Sequence, residues 1–473
     1  MPHIRILRHY FHTPHVFTSV IEGVLIFAAA YLGYFTRFQY FPEFKEHLPL
    51  ALTLAVFGVI SMSAMGVYGS RVREGYIGMM LRSAVAVFLL ATSAIAVVSY
   101  FLPQLEIGRG VLLFSTIEAF VLIAAWRWVT SAVISDDALK RRVLVLGTGT
   151  HALAIAQRMR RRSDRRGFVL LGYMKADEHQ SDLVSEFGAH LFANNGSLLD
   201  FCIKHEVDEI VIATKERRRN VDAGGGLPID DLLNCRLSGI EICEVQAFIE
   251  RESGKLEVDL IDPSWIIYSD GFVASTTRLV TKRSFDIFAS LLLLFFVWPV
   301  MLVTACLIGI GGLFREPILY KQERVGLDGK HFDVMKFRSM RTDAELDGQA
   351  RWATENDPRI TRIGAIIRKS RIDELPQLFN VLRGDMSFVG PRPERPQFVE
   401  ELNSKIPYYD QRHRVKPGIT GWAQLCYPYG ASVNDSKEKL KYDLYYLKNH
   451  SFMLDLIILF QTVEVVLVGD GAR

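Results

Sequence analysis

Four long apolar stretches crowd the first 135 residues of the chain, roughly Val16–Tyr34, Leu48–Val67, Ser83–Leu102 and Val111–Ile134. Each approaches the ~20 residues that a helix needs to cross a bilayer. No small-residue cleavage site follows the first stretch and three more stretches come after it, so a cleavable signal peptide is a poor reading. The chain has 473 residues, 49% hydrophobic and 23% charged. Those two fractions fit together only if apolar and charged residues are segregated along the sequence. At ~100–200 residues per domain the length predicts about three folding units.

Basic residues orient the N-terminal bundle. Arg5 and Arg8 precede the first stretch, Arg71, Arg73 and Arg82 lie between the second and third, and Lys140, Arg141 and Arg142 follow the fourth. The other two connections hold only Arg37, Lys45 and Arg109. By the positive-inside rule both ends of the bundle face the cytoplasm. His3, His9, His12 and His15 are irregularly spaced without acidic partners, and read as an interfacial basic arm rather than a metal site. The net charge of +3 excludes a globally basic nucleic-acid binder. The five cysteines are scattered without C-x-x-C spacing, which argues against a disulfide scaffold or a zinc site.

A second unit opens with Arg142-Val-Leu-Val-Leu-Gly147-Thr-Gly149-Thr-His-Ala152. A β-branched run, a G-x-G-x-x-A turn and a helical pattern predict strand, turn and helix. Further strands are expected at Phe168–Met174 and Glu209–Ala213, giving a Rossmann-like parallel sheet over 140–262. Asp177 is the one candidate for a ribose-binding acid, and no Tyr-x-x-x-Lys pair is present. A structural or regulatory unit is the favoured reading over a dinucleotide site.

A linker at 263–280 leads to a fifth apolar run, Phe285–Leu313. Lys282 and Arg283 precede it, Arg315 follows it, and Pro299 sits in its middle. Basic residues at both ends favour both ends on one face, and a mid-helix proline favours a bend. A re-entrant helix over about 283–313, broken at Pro299, fits these features. The competing reading is a fifth, kinked span.

The remainder is polar and arginine-rich. Between Pro358 and Ile372 lie Arg359, Arg362, Arg368, Lys369 and Arg371 with no acidic residue, and then Asp373 and Glu374 stand side by side. Adjacent carboxylates beside concentrated positive charge suit a nucleophile that attacks phosphorus, or a ligand for Mg²⁺. Pro376 places the pair near a helix N-terminus. A plain capping box, Ser370-x-x-Asp373, is the structural alternative. The stiff turn Gly390-Pro391-Arg392-Pro393 fixes a guanidinium with little entropy left to lose, as phosphate or uracil recognition would require.

Residues 281–473 resemble the bacterial sugar transferases, the polyprenyl-phosphate hexose-1-phosphate transferases or monotopic phosphoglycosyl transferases. The resemblance rests on Lys336-Phe-Arg-Ser-Met340, on Arg368 through Asp373-Glu374-Leu-Pro-Gln377, on Asn380 through Pro393, and on Lys416-Pro-Gly-Ile-Thr-Gly-Trp-Ala-Gln424. The whole chain is similar to the long members, with a transmembrane bundle at 1–139, a Rossmann-like domain, and a mixed α+β catalytic domain carrying a re-entrant helix. Tyr427-Pro-Tyr-Gly and Tyr442-Asp-Leu-Tyr-Tyr resemble the subgroup associated with exopolysaccharide and exosortase loci.

The resemblance implies that Asp373 attacks a UDP-sugar, that UMP leaves, and that polyprenyl phosphate takes the sugar phosphate from the covalent intermediate. Glu374 completes the dyad, with Mg²⁺ as cofactor. Lys336, Arg338 and Arg368 would hold phosphates, and Pro391, Arg392 and Pro393 the uridine end. Glycan initiation implies the bacterial inner membrane, with catalysis on the cytosolic face, and a homo-oligomer is compatible with it. Arg412 and His413 read as fold or interface residues. A final amphipathic helix, about Lys441–Val468, is expected to lie in the interface, since a span would bury Asp455 and Glu464 in lipid. Two competing functions are a membrane-bound nucleotide-sugar dehydratase or epimerase built on the Rossmann-like unit, and a non-catalytic scaffold for glycan assembly.

Overall fold

A computed structural model describes residues 3–6, 9–65, 67–68, 76–92, 95, 108–133, 140–159, 165, 167–176, 181–193, 196–214, 219–220, 225–261, 269, 271–272, 275–312, 315–342, 359–427, 430 and 432–468. The chain forms two compact units, one built mainly from Tyr10–Leu260 and the other from Ile261–Arg473.

In the first unit, helices α1 (Thr13–Phe38) and α2 (Phe44–Ala64) are followed by α3 (Tyr76–Ala84), a π turn at Val85–Ala91, and α4 (Arg109–Val133). Within these, Val16–Phe38, Phe44–Ala64 and Arg109–Thr130 are long and apolar enough to cross a membrane. The third expected stretch is described only as a shorter apolar helix, Met79–Phe88, and its continuation lies outside the described residues. Small residues let the helices approach. A side-chain carbon at Gly33 would lie 2.4 Å from the Ser115 backbone nitrogen on α4. A buried charge pair lies inside the bundle. Fully buried Glu22 accepts hydrogen bonds from Arg127 at 2.5 and 2.8 Å and from the Tyr68 hydroxyl at 2.7 Å.

The same unit contains strands β1 (Arg141–Leu146), β2 (Phe168–Met174), β3 (Leu191–Phe192), β4 (Glu209–Ile212) and β5 (Glu241–Glu244). They form one parallel sheet in the order β3-β2-β1-β4-β5. The glycine turn connects β1 to α5 (Thr150–Arg158). Gly147 has φ +126°, and any side chain there would meet the Ala213 carbonyl at 2.7 Å. Thr148 is fully buried. Its hydroxyl donates to Ser181 O at 3.0 Å, and its carbonyl accepts from Leu183 N at 3.0 Å. The chain after β2 thus folds across the turn and uses its polar groups. Asp177 lies outside the described residues.

The second unit opens with α6, Thr276–Gly311, a helix of 36 residues. Ser275 caps it by accepting from Arg278 N, and helical structure continues through Pro299. Its buried positions are Asp286 and Ser290 near one end and Thr304, Ile308 and Gly309 near the other. Between them Leu291, Phe295, Phe296, Trp298, Leu302 and Val303 point outward. Strands β6 (Leu319–Val325) and β7 (His331–Phe337) pair as an antiparallel hairpin. Helices α7 (Arg362–Lys369) and α8 (Gln377–Arg383) follow, and then strands β8 (Ser387–Val389) and β9 (Gly418–Thr420), which pair in parallel.

The chain ends in two helices, α9 (Val433–Asn449) and α10 (Phe452–Val468), where the sequence predicts one interfacial helix. The break comes at His450–Ser451, and the Ser451 hydroxyl accepts from Leu454 N at 3.2 Å as a cap for α10. Tyr445 and Tyr446 are core residues rather than interfacial ones, each 1% exposed. Asp455 is buried in protein, where Lys282 neutralises it at 2.7 Å.

Candidate active site

Three segments that are distant in sequence build the carboxylate site. The first is β7, which carries Lys336. The second is the link between α7 and α8. Ser370 ends α7 with its hydroxyl donating to Ile366 O at 2.9 Å, so it does not form the alternative capping box with Asp373. Arg371 then reverses the chain at φ +57°, and Ile372–Glu374 forms a 3₁₀ turn directly ahead of Pro376 and α8. A non-glycine residue in this conformation is strained, and such strain collects at functional sites. The third segment is the Pro391–Pro393 loop after β8.

Asp373 is 7% exposed, and among the described residues its Oδ1 has no hydrogen-bond partner. Burial, and then the Glu374 charge, raise its pKa against the opposing fields of Lys336, Arg368 and Arg371. Glu374 behaves oppositely. Burial alone would push it up, but Lys336, Arg392 and Arg371 draw it down to about 2. Lys336 Nζ stands 3.0 Å from Glu374 Oε1, and Arg371 lies 3.7 Å from the same oxygen. Burial lowers the Lys336 pKa while Glu374 opposes the shift. Two neighbouring carboxylates therefore differ in kind. Glu374 is ionised and held by cations, whereas Asp373 keeps an oxygen uncommitted.

Asn380 on α8 holds two of these segments together. It is fully buried. Its amide donates to Asp333 O at 2.7 Å and accepts from Met335 N at 3.0 Å, on the free side of β7 next to Lys336. This one side chain acts as a neighbouring strand would. Its role is not visible in the sequence, although Asn380 lies inside a matched motif.

The expected phosphate-binding residues divide. Lys336 and Arg368 act on the carboxylate pair. Arg338 instead pairs with Glu316. Arg392 reaches the pair electrostatically from the third segment, affecting both Glu374 and Lys336. Its loop is fixed by close backbone packing. A side-chain carbon at Gly390 would lie 2.2 Å from Lys416 O, and one at Gly418 would lie 2.1 Å from Gly390 N. The Gly-Pro-Arg-Pro and Lys-Pro-Gly sequences meet beside the β8–β9 pair, where Gly418 N donates to Pro391 O and Gly390 N to Thr420 O. Pro299 lies in α6 and belongs to the apolar segment rather than to this cluster.

Among the described residues no group of three or more His, Cys, Asp or Glu side chains is placed to hold a metal. Asp373 and Glu374 are the adjacent oxygen donors. Two carboxylates, one with an unengaged oxygen, suit Mg²⁺, which is usually held by one or two carboxylates plus substrate phosphates.

The bacterial sugar transferase profile matches residues 277–469, and a CoA-binding domain profile matches residues 63–219. The exopolysaccharide production protein PSS of Rhizobium leguminosarum bv. phaseoli is 46% identical over 194 residues, covering 39% of this chain and 94% of that protein. A UDP-N-acetylgalactosamine-undecaprenyl-phosphate N-acetylgalactosaminephosphotransferase of Aeromonas hydrophila is 40% identical over 242 residues, 51% of this chain and 56% of the relative. An undecaprenyl-phosphate glucose phosphotransferase of Komagataeibacter xylinus is 35% identical over 334 residues, 69% of this chain and 59% of the relative. The chain thus spans little more than half the length of these last two relatives. With the profile match over the second unit and a relative covered almost end to end, the chain belongs to the bacterial sugar transferase family.

Proposed function

We propose that the protein transfers a hexose 1-phosphate from a UDP-sugar to polyprenyl (undecaprenyl) phosphate, starting an exopolysaccharide or another surface glycan. The observation that carries this reading is the uncommitted, buried Asp373 oxygen beside a Glu374 held by Lys336. Relatives named for N-acetylgalactosamine and for glucose match this chain at 40% and 35% identity, so the proposal extends to the class of hexose phosphates.

In the first half-reaction an Asp373 carboxylate oxygen attacks the β-phosphorus of the donor. A phosphorus–oxygen bond to Asp373 forms, the bond from that phosphorus to the bridging oxygen breaks, and UMP leaves with the electron pair. In the second, a phosphate oxygen of the polyprenyl phosphate attacks the same phosphorus. The Asp373 carboxylate is released and polyprenyl-diphospho-sugar is formed. Lys336, Arg368 and Arg392 offset phosphate charge that would otherwise repel an anionic nucleophile. Lys336 also fixes Glu374 by the 3.0 Å pair. Mg²⁺ held by Asp373 or Glu374 would supply further neutralisation of the phosphate oxygens.

The site would lie at the cytosolic face of a bacterial inner membrane, seated by α6 as a re-entrant helix. Both ends of α6 dock on the same domain. Arg283 near the start donates to Val381 O and Leu382 O at 2.6 Å. Ile308 near the end packs with Phe337 and Ile367. Asn380, next to Val381, bonds Met335, two residues from Phe337. A straight helix would separate Arg283 and Ile308 by 25 residues at ~1.5 Å each, so docking of both ends favours a bend.

The test is single-turnover chemistry. Purified protein given UDP-sugar without acceptor should release UMP up to about one equivalent and retain a sugar-phosphate adduct at Asp373. Asp373→Asn should do neither while remaining folded. UMP release that strictly requires polyprenyl phosphate would replace the covalent route with direct transfer.

A further inference from the structure

The Pro391–Pro393 loop presents a specific physical problem. Its two prolines have no N–H, which leaves Arg392 N as the one backbone donor of the loop, so the loop is held chiefly through its carbonyls. Outside donors must reach them. All three are taken. Pro391 O accepts from Gly418 N at 3.0 Å, Arg392 O from Arg412 Nη2 at 3.0 Å, and Pro393 O from Arg324 Nη1 at 3.0 Å. Two of these donors are guanidinium groups with little exposure, from separate parts of the fold.

Each guanidinium is itself held. Arg412 is 5% exposed. It bonds the buried Asp443 carboxylate at 2.8 and 3.0 Å, donates to the Tyr409 hydroxyl at 2.8 Å, and lies over the Tyr409 ring at 5.1 Å. Arg324 on β6 donates to Gln322 Oε1 and pairs with Glu394 at 3.5 Å. Burying a guanidinium is costly, and both are placed on successive carbonyls of one short loop. Arg392 repels Arg324, and its charge also acts on Glu374 and Lys336. The clamps therefore fix the backbone from which Arg392 reaches the carboxylate site.

We propose that Arg324 and Arg412 are positioning residues for donor binding: they hold the Pro391–Pro393 carbonyls so that the Arg392 guanidinium meets the nucleotide-diphosphate end of the donor. This rests on the proposed reading of the loop as the donor's nucleotide-binding element. Neither residue touches the reacting atoms. Arg412 thus gains a role beyond that of a fold or interface residue.

The experiment measures steady-state UMP release by the full-length protein, with saturating undecaprenyl phosphate and varied UDP-sugar, for Arg412→Lys, Arg324→Lys, Arg392→Ala and the double variants with Arg392→Ala, with thermal melting as the folding check. A lysine keeps the charge but cannot span the bonds each guanidinium makes. Each lysine variant should raise the donor KM about tenfold, the scale of one lost charged hydrogen bond, with kcat within about twofold. Arg392→Ala should raise KM by itself, and adding Arg412→Lys or Arg324→Lys should raise it little further, because their effect passes through Arg392. A lowered kcat with unchanged KM, or effects that multiply in full with Arg392→Ala, would overturn the proposal. If Arg412→Lys melts early, Arg324→Lys and Tyr409→Phe carry the same test. An unchanged KM in Arg392→Ala would instead overturn the donor-binding reading of the loop.

Discussion

Lys336 and Glu374, which are 38 residues apart in sequence, form a 3.0 Å ion pair. In the proposed mechanism the bond divides the roles of the two carboxylates. The ammonium engages Glu374, and among the described residues Asp373 Oδ1 has no hydrogen-bond partner. An anionic nucleophile needs free lone pairs and nearby cations together, and this asymmetry provides both.

The asymmetry predicts a pH effect. Burial and the Glu374 charge raise the Asp373 pKa. As the proposed nucleophile, Asp373 must be ionised, so activity should fall as pH drops through a value above the ordinary aspartate range. Glu374→Gln removes the neighbouring negative charge, which lowers the Asp373 pKa. Its residual kcat/KM should be much reduced, with the acid limb displaced to lower pH. A limb that stays in place or moves upward would show that another group sets it.

Asn380→Ala should damage folding and chemistry together. It leaves Asp333 O and Met335 N without the bonds of 2.7 and 3.0 Å that Asn380 makes. At ~1–3 kcal/mol for each group left unpaired, the cost is roughly 2–6 kcal/mol, with the part-buried Asp333 O at the low end of its range. Chemical denaturation should register that loss. In the folded fraction kcat should fall as well, since Lys336 adjoins the released strand. Wild-type stability would mean that water replaces the amide.

Much of this organisation is legible in the sequence, because it rests on local pattern. The apolar stretches, the β1 turn at Gly147 and the Asp373-Glu374 pair are contiguous signals. The remainder depends on partners that sequence does not bring together. Glu22 and Arg127 neutralise one another across 105 positions. The final apolar run reads as one amphipathic helix because nothing local reveals that Lys282 receives Asp455 from α10. Arg338 is expected from its motif to hold phosphate, yet Glu316 holds it here. Arg371 has no turn-forming glycine to announce its φ of +57°.

The Lys282–Asp455 contact predicts a rescue. Lys282 also donates to Val389 O and to Tyr446, so it ties α6 to β8, α9 and α10. Lys282→Met should strand a buried carboxylate and cost about 3–5 kcal/mol. Lys282→Met combined with Asp455→Leu should recover most of it, because neither charge then remains buried. Additive losses in the double variant would assign the effect to packing rather than to the pair.

Pro299 carries the last prediction, on topology. A straight helix of 36 residues at ~1.5 Å each would exceed the ~30 Å hydrocarbon core, so α6 has enough length to span. Pro299 withholds the N–H that would bond the Phe295 carbonyl, and Lys282, Arg283 and Arg315 flank the apolar run. Pro299→Leu restores that bond and should straighten the helix in a fraction of molecules, carrying their catalytic domains to the outer face. Lys330→Cys, in an otherwise cysteine-free chain, reports the outcome. Lys330 is an exposed residue after α6. Intact cells should give no labelling by an impermeant maleimide with Pro299 present, and partial labelling with Leu in its place. Transfer activity should fall in the same proportion, since the proposed donor is cytosolic. Labelling from outside with Pro299 in place would refute the re-entrant reading and move the site away from its proposed donor.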